Sequence, residues 1–309
     1  DRMRIGTRIL LAVALAVAGC GDAKSKQAAP GPQRTGPIVA STWPLQGLAE
    51  AVIGSGPAIR CLVPPGEDPA FWQPTDADLQ ALADASWILL NGANFEPWAT
   101  TTNLPPSRVT QTSAPFRSAW VEIKDAKVHS HGTQGPHSHT GFDPHFWMDP
   151  LLALEQARTI RDGAIARDFV DPSGAAQNFQ TLETSLRALD AAWVRLAAVL
   201  KDQTVLANHP TYTYPAQRYG LVIQVVDVDP TSPPTPEALA EIAALCSQGR
   251  THAMLFEAAP NPALERLLRE KWGIQSILIR PAESPIAGAA NAMDIWRSDL
   301  QKALDLLGA

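Results

Sequence analysis

Cysteine is nearly missing from this chain: there are three in 309 residues, and no Cys-x-x-C pair. That excludes a disulfide-stapled scaffold and a cysteine-based metal site. Aromatic residues are thin at 6%, and the charged residues, 18%, leave a formal net charge of −6. An acidic balance argues against nucleic acid as a partner. Histidine is sparse too, but four of the seven, His129, His131, His137 and His139, fall within eleven positions. What the chain does have is apolar material, 45%, enough for two cores, and 27 prolines, which disfavour long uninterrupted helical bundles. Its length exceeds one typical domain of roughly 100–200 residues, so two domains are expected.

The first residues read as an address. Arg2, Arg4 and Arg8 precede the apolar run Ile9–Ala18. That run is short of the ~20 residues a bilayer-spanning helix needs, and small residues follow it, as in a secretory signal. Val17-Ala18-Gly19-Cys20 resembles a bacterial lipobox. Residues 1–19 are therefore expected to be a lipoprotein signal peptide, with Cys20 the lipidated first residue after cleavage. Residues 20–36, rich in Ala, Gly, Pro, Lys and Gln, are expected to form a flexible tether. Cys61 and Cys246 are expected to be buried free thiols in different lobes.

From residue 37 on, short apolar runs alternate with helical patterns. Ile38–Ala40, Ile59–Val63 and Trp87–Leu90 read as strands, and Thr75 can cap a helix through Leu79, Leu82 and Ala83. The second half repeats this with Val205–Ala207, Leu221–Val226, Met254–Phe256 and Ile277–Ile279. Thr235-Pro236-Glu237 and Asn261-Pro262 start helices, and Gly273 ends the second. Such alternation marks an α/β fold with mostly parallel sheets. Between the halves, Phe179, Leu182, Leu186, Leu189, Trp193, Leu196 and Leu200 repeat at spacings of three and four. That stripe predicts one long helix packed across both lobes as a stiff spine. The expected division is an N-terminal lobe over 37–172 carrying a His-rich loop at 129–139, a linking helix over 173–201, and a C-terminal lobe over 202–309.

In open parallel sheets, ligands bind beyond the carboxyl ends of the strands. His209, Glu257 and Arg280 follow three of the second-half strands, and His145 stands in Asp143-Pro144-His145-Phe146-Trp147-Met148-Asp149-Pro150. Two imidazoles and a carboxylate are good zinc ligands, so His145, His209 and Glu257 are candidate metal residues. The competing reading makes the histidines capped turn residues and Glu257 a solvated strand-end acid. Trp72, Trp147 and Tyr212 either line a cleft or pack in the core. Asp143 and Asp149 read as caps of turns and helices, Asp149 for a helix starting near Leu151.

The chain resembles the zinc- or manganese-binding solute-binding lipoproteins of bacterial ABC importers. The blocks that carry the likeness are Ile38–Leu45, Val63–Pro69, Gln73-Pro74-Thr75, Leu90–Trp98, Asp143–Pro150, and His209 with Tyr214 and Arg218–Leu221. The resemblance implies two α/β lobes joined by one rigid helix, metal held between them, and delivery to a membrane ABC permease. It places His145 and His209 at the second and third of four ligand positions. The first position falls on Ala70, which cannot coordinate, and the fourth on Arg280, whose permanent charge would repel a dication. The expected site is thus altered. Glu257 could coordinate directly, Glu283 could swing in, or Arg280 could pair with either acid and weaken the site.

The tract His129–His139 holds two His-x-His pairs separated by turn formers, and its composition reads as metal-binding. The resemblance likens it to the histidine-rich loop of zinc-type members. Four imidazoles suit zinc, whereas manganese prefers oxygen ligands. Three functions follow in order. The first is a monomeric, lipid-anchored receptor at the bacterial cell envelope, facing the periplasm or the extracellular side, that captures zinc for an ABC permease. The second is an envelope metal buffer or interaction protein that uses mainly the loop. The third, a zinc hydrolase, lacks an H-E-x-x-H motif and a nucleophile elbow, so no enzyme activity is expected.

Overall fold

The computed structural model describes residues 36–123 and 141–309, with the backbone of residues 129–130 and 136–137. The expected leader, Cys20 and the tether up to residue 35 lie outside the described residues. So do His131, His139 and the side chains of His129 and His137.

Two parallel four-stranded sheets organise the rest. The first contains β1 (Ile38–Ala40), β2 (Ile59–Cys61), β3 (Trp87–Leu90) and β4 (Val109–Gln111), in the order β2-β1-β3-β4. Two small antiparallel ribbons follow. One joins β5 (Glu122–Ile123) to β8 (Gly141–Phe142), and the other joins β6 (His129–Ser130) to β7 (Pro136–His137), with His129 opposite His137 in the backbone register. The second sheet contains β9 (Thr204–Ala207), β10 (Val222–Val225), β11 (Ala253–Phe256) and β12 (Gln275–Leu278), in the order β10-β9-β11-β12. In each sheet the first strand lies between the second and third. The chain therefore turns opposite ways out of β1 and β3, and out of β9 and β11, opening a crevice at their carboxyl ends.

The helices start where their caps dictate. α1 (Trp43–Ile53) begins at Thr42, whose hydroxyl accepts from the Leu45 amide. α2 (Asp76–Asp84) has a full capping box between Thr75 and Asp78. The short α3 (Pro97–Thr101) leads to α4 (Pro150–Ala166), where the Asp149 carboxylate accepts from Leu151 and Leu152. α5 (Pro172–Val199) is capped by Asp171 and runs 28 residues, about 42 Å at ~1.5 Å per residue. α6 (Thr213–Tyr219), α7 (Pro236–Cys246), α8 (Pro262–Trp272) and α9 (Ala292–Leu307) complete the second half. Gly273, at φ +68°, ends α8 in the left-handed region that glycine enters at least cost.

All seven residues of the periodic stripe are buried. α5 packs against α1, α4 and α9, and one apolar cluster runs from Ile38 and Trp87 through this spine to Val205 and Leu304. Burying a Leu or Phe side chain contributes roughly 1.5–3 kcal/mol, so the stripe alone ties both sheets to one helix. The sequence reading missed α1, α3, α6 and α9, together with β4 and the short ribbon strands β5–β8. β4 has a single strongly apolar residue, Val109, and takes its place by pairing with β3. Cys61 and Cys246 are free, but half-buried rather than buried. Among the described residues, no helix is long and apolar enough to cross a membrane.

Candidate metal centre

His209 leaves β9 in extended backbone, φ −145° and ψ 152°, and the turn Pro210–Tyr212 follows. Its Nδ1 lies 3.0 Å from Glu257 Oε2 and 2.6 Å from the Thr211 hydroxyl. Glu257 stands at the end of the neighbouring β11. The two strand ends are clipped together by Asn208, whose Nδ2 donates to Glu257 Oε1 at 3.3 Å and whose Oδ1 accepts from the Glu257 amide at 3.1 Å. His209 and Glu257 thus flank the crevice of the second sheet.

His145 approaches from the other half. The Asp143 carboxylate folds back over Pro144, accepting from the His145 amide at 2.9 Å and meeting His145 Nδ1 at 2.8 Å. Asn91, just past β3, donates from Nδ2 to the Pro144 carbonyl at 2.8 Å, which ties this turn to the crevice of the first sheet. Phe95 and Trp147 stand edge-on to the imidazole, their ring centres 6.2 and 5.4 Å away. The His145 and His209 rings are 5.9 Å apart and nearly perpendicular, at 89°. Both histidines are at least 96% buried, since their exposures are 2% and 4%.

The remaining His145 nitrogen, Nε2, lies 3.0 Å from Glu283 Oε1. Burial opposes the charged ring, but the Asp143 charge and hydrogen bond, helped by Glu283, override it and push the His145 pKa up to about 10. Burial likewise opposes the Asp143 carboxylate, yet His145 holds that group below the usual carboxylate range.

Glu283 sits on a heavily braced loop. The Pro281 carbonyl accepts from the indoles of Trp147 at 3.0 Å and Trp296 at 3.2 Å. The Tyr212 hydroxyl donates to the Ile279 carbonyl at 2.9 Å, and the Trp43 amide donates to the Glu283 carbonyl at 2.9 Å. Ala282, a buried non-glycine residue, is held at φ +56° immediately before Glu283. Backbone strain of that kind persists where the surroundings over-determine it.

The two expected pairings of Arg280 are not made. Its guanidinium grips Asp299 of α9 with two bonds, 2.8 and 2.6 Å, and its amide donates to the same carboxylate. Asp299 is buried and available because α9 packs there, an element the sequence reading had not recognised. Arg280 therefore neutralises Asp299 and leaves Glu257 and Glu283 to the histidines. Ala70 offers no donor; its amide bonds to Asp68 Oδ1 at 2.8 Å and its side chain packs on the core. Trp72 is a packing residue, edge-on to Trp98 at 5.4 Å, whereas Trp147 and Tyr212 prop the Glu283 loop.

The structure thus brings His145, His209 and Glu257 into one region and adds Glu283, which the sequence reading held only as an option. Among the described residues, no group of three or more His, Cys, Asp or Glu is placed to hold a metal ion directly. Both His145 nitrogens and His209 Nδ1 face carboxylates instead.

Residues 38–303 match the family described as ZnuA, zinc-uptake complex component A, periplasmic. The chain belongs to the ZnuA family. Relatives include the zinc-binding lipoprotein AdcA of Streptococcus pneumoniae, 24% identical over 276 residues, which cover 87% of this chain and 54% of AdcA. The high-affinity zinc uptake system protein ZnuA of Bacillus subtilis is 22% identical over 285 residues, covering 90% of this chain and 88% of that protein. This ZnuA-family chain spans about half the length of the AdcA relatives it matches. Solved structures share the fold. The Zn(II)-bound ZnuA-like domain of S. pneumoniae AdcA aligns with a TM-score of 0.72 at 20% identity, over 88% of this chain and 99% of that one. The metal-dependent lipoprotein YcdH of B. subtilis aligns with a TM-score of 0.72 at 18% identity, over 87% of this chain and 98% of that one. The ZnuA-family match runs into α9 as far as residue 303, so it includes Asp299, the partner that takes Arg280 out of the site.

Proposed function

We propose that this chain is a zinc receptor of the bacterial cell envelope, which captures the ion between its lobes and hands it to an ABC-type permease. The observation that carries the reading is the pair of buried imidazoles, one from each half, each held at Nδ1 by a carboxylate. A carboxylate on one ring nitrogen fixes the tautomer and orients the other nitrogen for a metal. In this assignment His145, His209 and Glu283 are the ligands. Glu257 is moved from ligand to orienting partner of His209, as Asp143 is for His145. Zinc entry exchanges the His145–Glu283 bond for two bonds to the ion and releases the His145 proton. Two imidazoles favour zinc over manganese.

The zinc-binding and zinc-uptake names of the relatives support the same cargo. Anchoring through Cys20, a monomeric state, absence of enzyme activity, the lobe boundaries, and metal gathering by His129, His131, His137 and His139 belong to this proposal. Zinc titration tests it. His145→Ala and His209→Ala should each weaken binding at least ~10-fold. Full binding by the double variant would exclude the site between the lobes. Disappearance of all binding on removing residues 129–139 alone would move the function to the tract.

A further inference from the structure

Tyr214 stands on α6, in the second half, yet its ring is buried among residues of the first. Its cluster contains Ala93, Phe116, Phe146 and Leu152, and Tyr214 is the one member from beyond α5 among the described residues. The ring centre of Phe146, the residue after His145, is 5.2 Å away. At the tip, the hydroxyl donates to the Asp143 carbonyl at 2.7 Å and accepts from the Val121 amide at 3.2 Å. The preceding Thr213, whose hydroxyl donates to the Pro210 carbonyl at 3.0 Å, also faces the Asp143 carboxylate.

Asp143 is the residue that orients His145, through both its amide and its Nδ1. Thr213 and Tyr214 are also only four and five positions past His209, across the short Pro210–Tyr212 turn. One continuous segment of the second half therefore presents His209 and grips the group that aims His145.

We infer that Thr213 and Tyr214 are positioning residues, a strut between the lobes that sets the distance and angle between the His145 and His209 rings. The inference rests on the zinc reading above. In that reading neither residue touches the ion. They act through Asp143, so the placement of the His145 ring follows that of the segment carrying His209. A buried ring with a single hydroxyl function suits the role, because the ring fixes the depth of insertion and the hydroxyl fixes the register.

The test is a zinc competition titration of Tyr214→Phe and Thr213→Val, with the metal-free melting temperature and the His145 Nδ1–H proton resonance recorded beside it. Each variant should bind zinc about 10-fold more weakly, the loss typical of removing an outer partner of a ligand. The His145 resonance should shift. A merely structural role would lower the melting temperature and move neither affinity nor resonance, and that result overturns the inference. If Tyr214→Phe does not fold, Thr213→Val decides alone. His145→Ala and His209→Ala separate the levels: full binding by both sinks the zinc site and the strut with it. Loss in those two with unchanged binding in Tyr214→Phe and Thr213→Val sinks only the strut.

Discussion

Arg280 and Glu96 show how much a single residue's partner decides. Asp299 has no exposed side-chain surface, and Arg280 is the charge that offsets it. The Asp299 bonds hold the Arg280 guanidinium above even its ordinary pKa. Removing one member of such a pair strands the other, so Arg280→Ala should cost about 3 kcal/mol in urea denaturation, far more than loss of a surface pair. A loss under about 1 kcal/mol would show that Asp299 finds water instead. Glu96 is buried with its carboxylate on the Ser41 hydroxyl and the Asn91 and Gly92 amides. Burial raises its pKa from the ordinary 4.5 to about 7, and those donors only limit the rise. The folded chain therefore holds this proton in a range where the unfolded chain has lost it. Stability from this group is full below pH ~4.5, falls as pH rises to about 7, and is flat above, a span of about 3 kcal/mol at ~1.36 kcal/mol per unit. Glu96→Gln should flatten that part of the profile; an unchanged slope between pH 5 and 7 would exclude the assignment. Of the site, His145, His209 and Glu257 were legible because strand-end polar residues stand out against apolar runs. Glu283 was legible only as an option, since its place depends on Arg280 turning away to a helix that lies twelve residues on.

Elements are fixed partly by what they must avoid. Gly163 lies within α4, where propensity alone favours alanine by about 1 kcal/mol. A Cβ there would come within 2.6 Å of the buried Trp87 ring, which Phe169 and Arg167 hold in place. Overpacking of that order costs about 1–3 kcal/mol, so Gly163→Ala should lower the melting temperature. A rise would mean that the indole yields. The legibility of the elements follows the same division. α5 was readable from its stripe, and α2, α7 and α8 from their caps, because those signals are local. β4 was not, because Val109-Thr110-Gln111 becomes a strand only by pairing with β3. α9 carried a readable pattern, with Ile295, Trp296, Leu300, Ala303 and Leu304 all buried, and its omission hid the partner of Arg280.

At the scale of the molecule, α5 and the cluster around it make the two sheets one body, and the candidate centre lies where the sheets' carboxyl ends converge. His209 and Glu257 come from the crevice between β9 and β11, and His145 from the turn tied to β3. Glu283 comes from a loop that both halves brace, through the Trp43 amide and the Trp147 and Trp296 indoles. On the zinc-receptor proposal, the ion is held at this crevice while α5 stays packed against both sheets. The measurement that bears most directly on this is a crystal structure of the zinc-loaded chain, with anomalous scattering recorded at the zinc edge. The account predicts one strong peak between the lobes, about 2.0–2.2 Å from His145 Nε2, His209 Nε2 and a Glu283 oxygen, with Glu257 still on His209 Nδ1. A peak ligated by Glu257 in place of Glu283, or no peak between the lobes at saturating zinc, would contradict it.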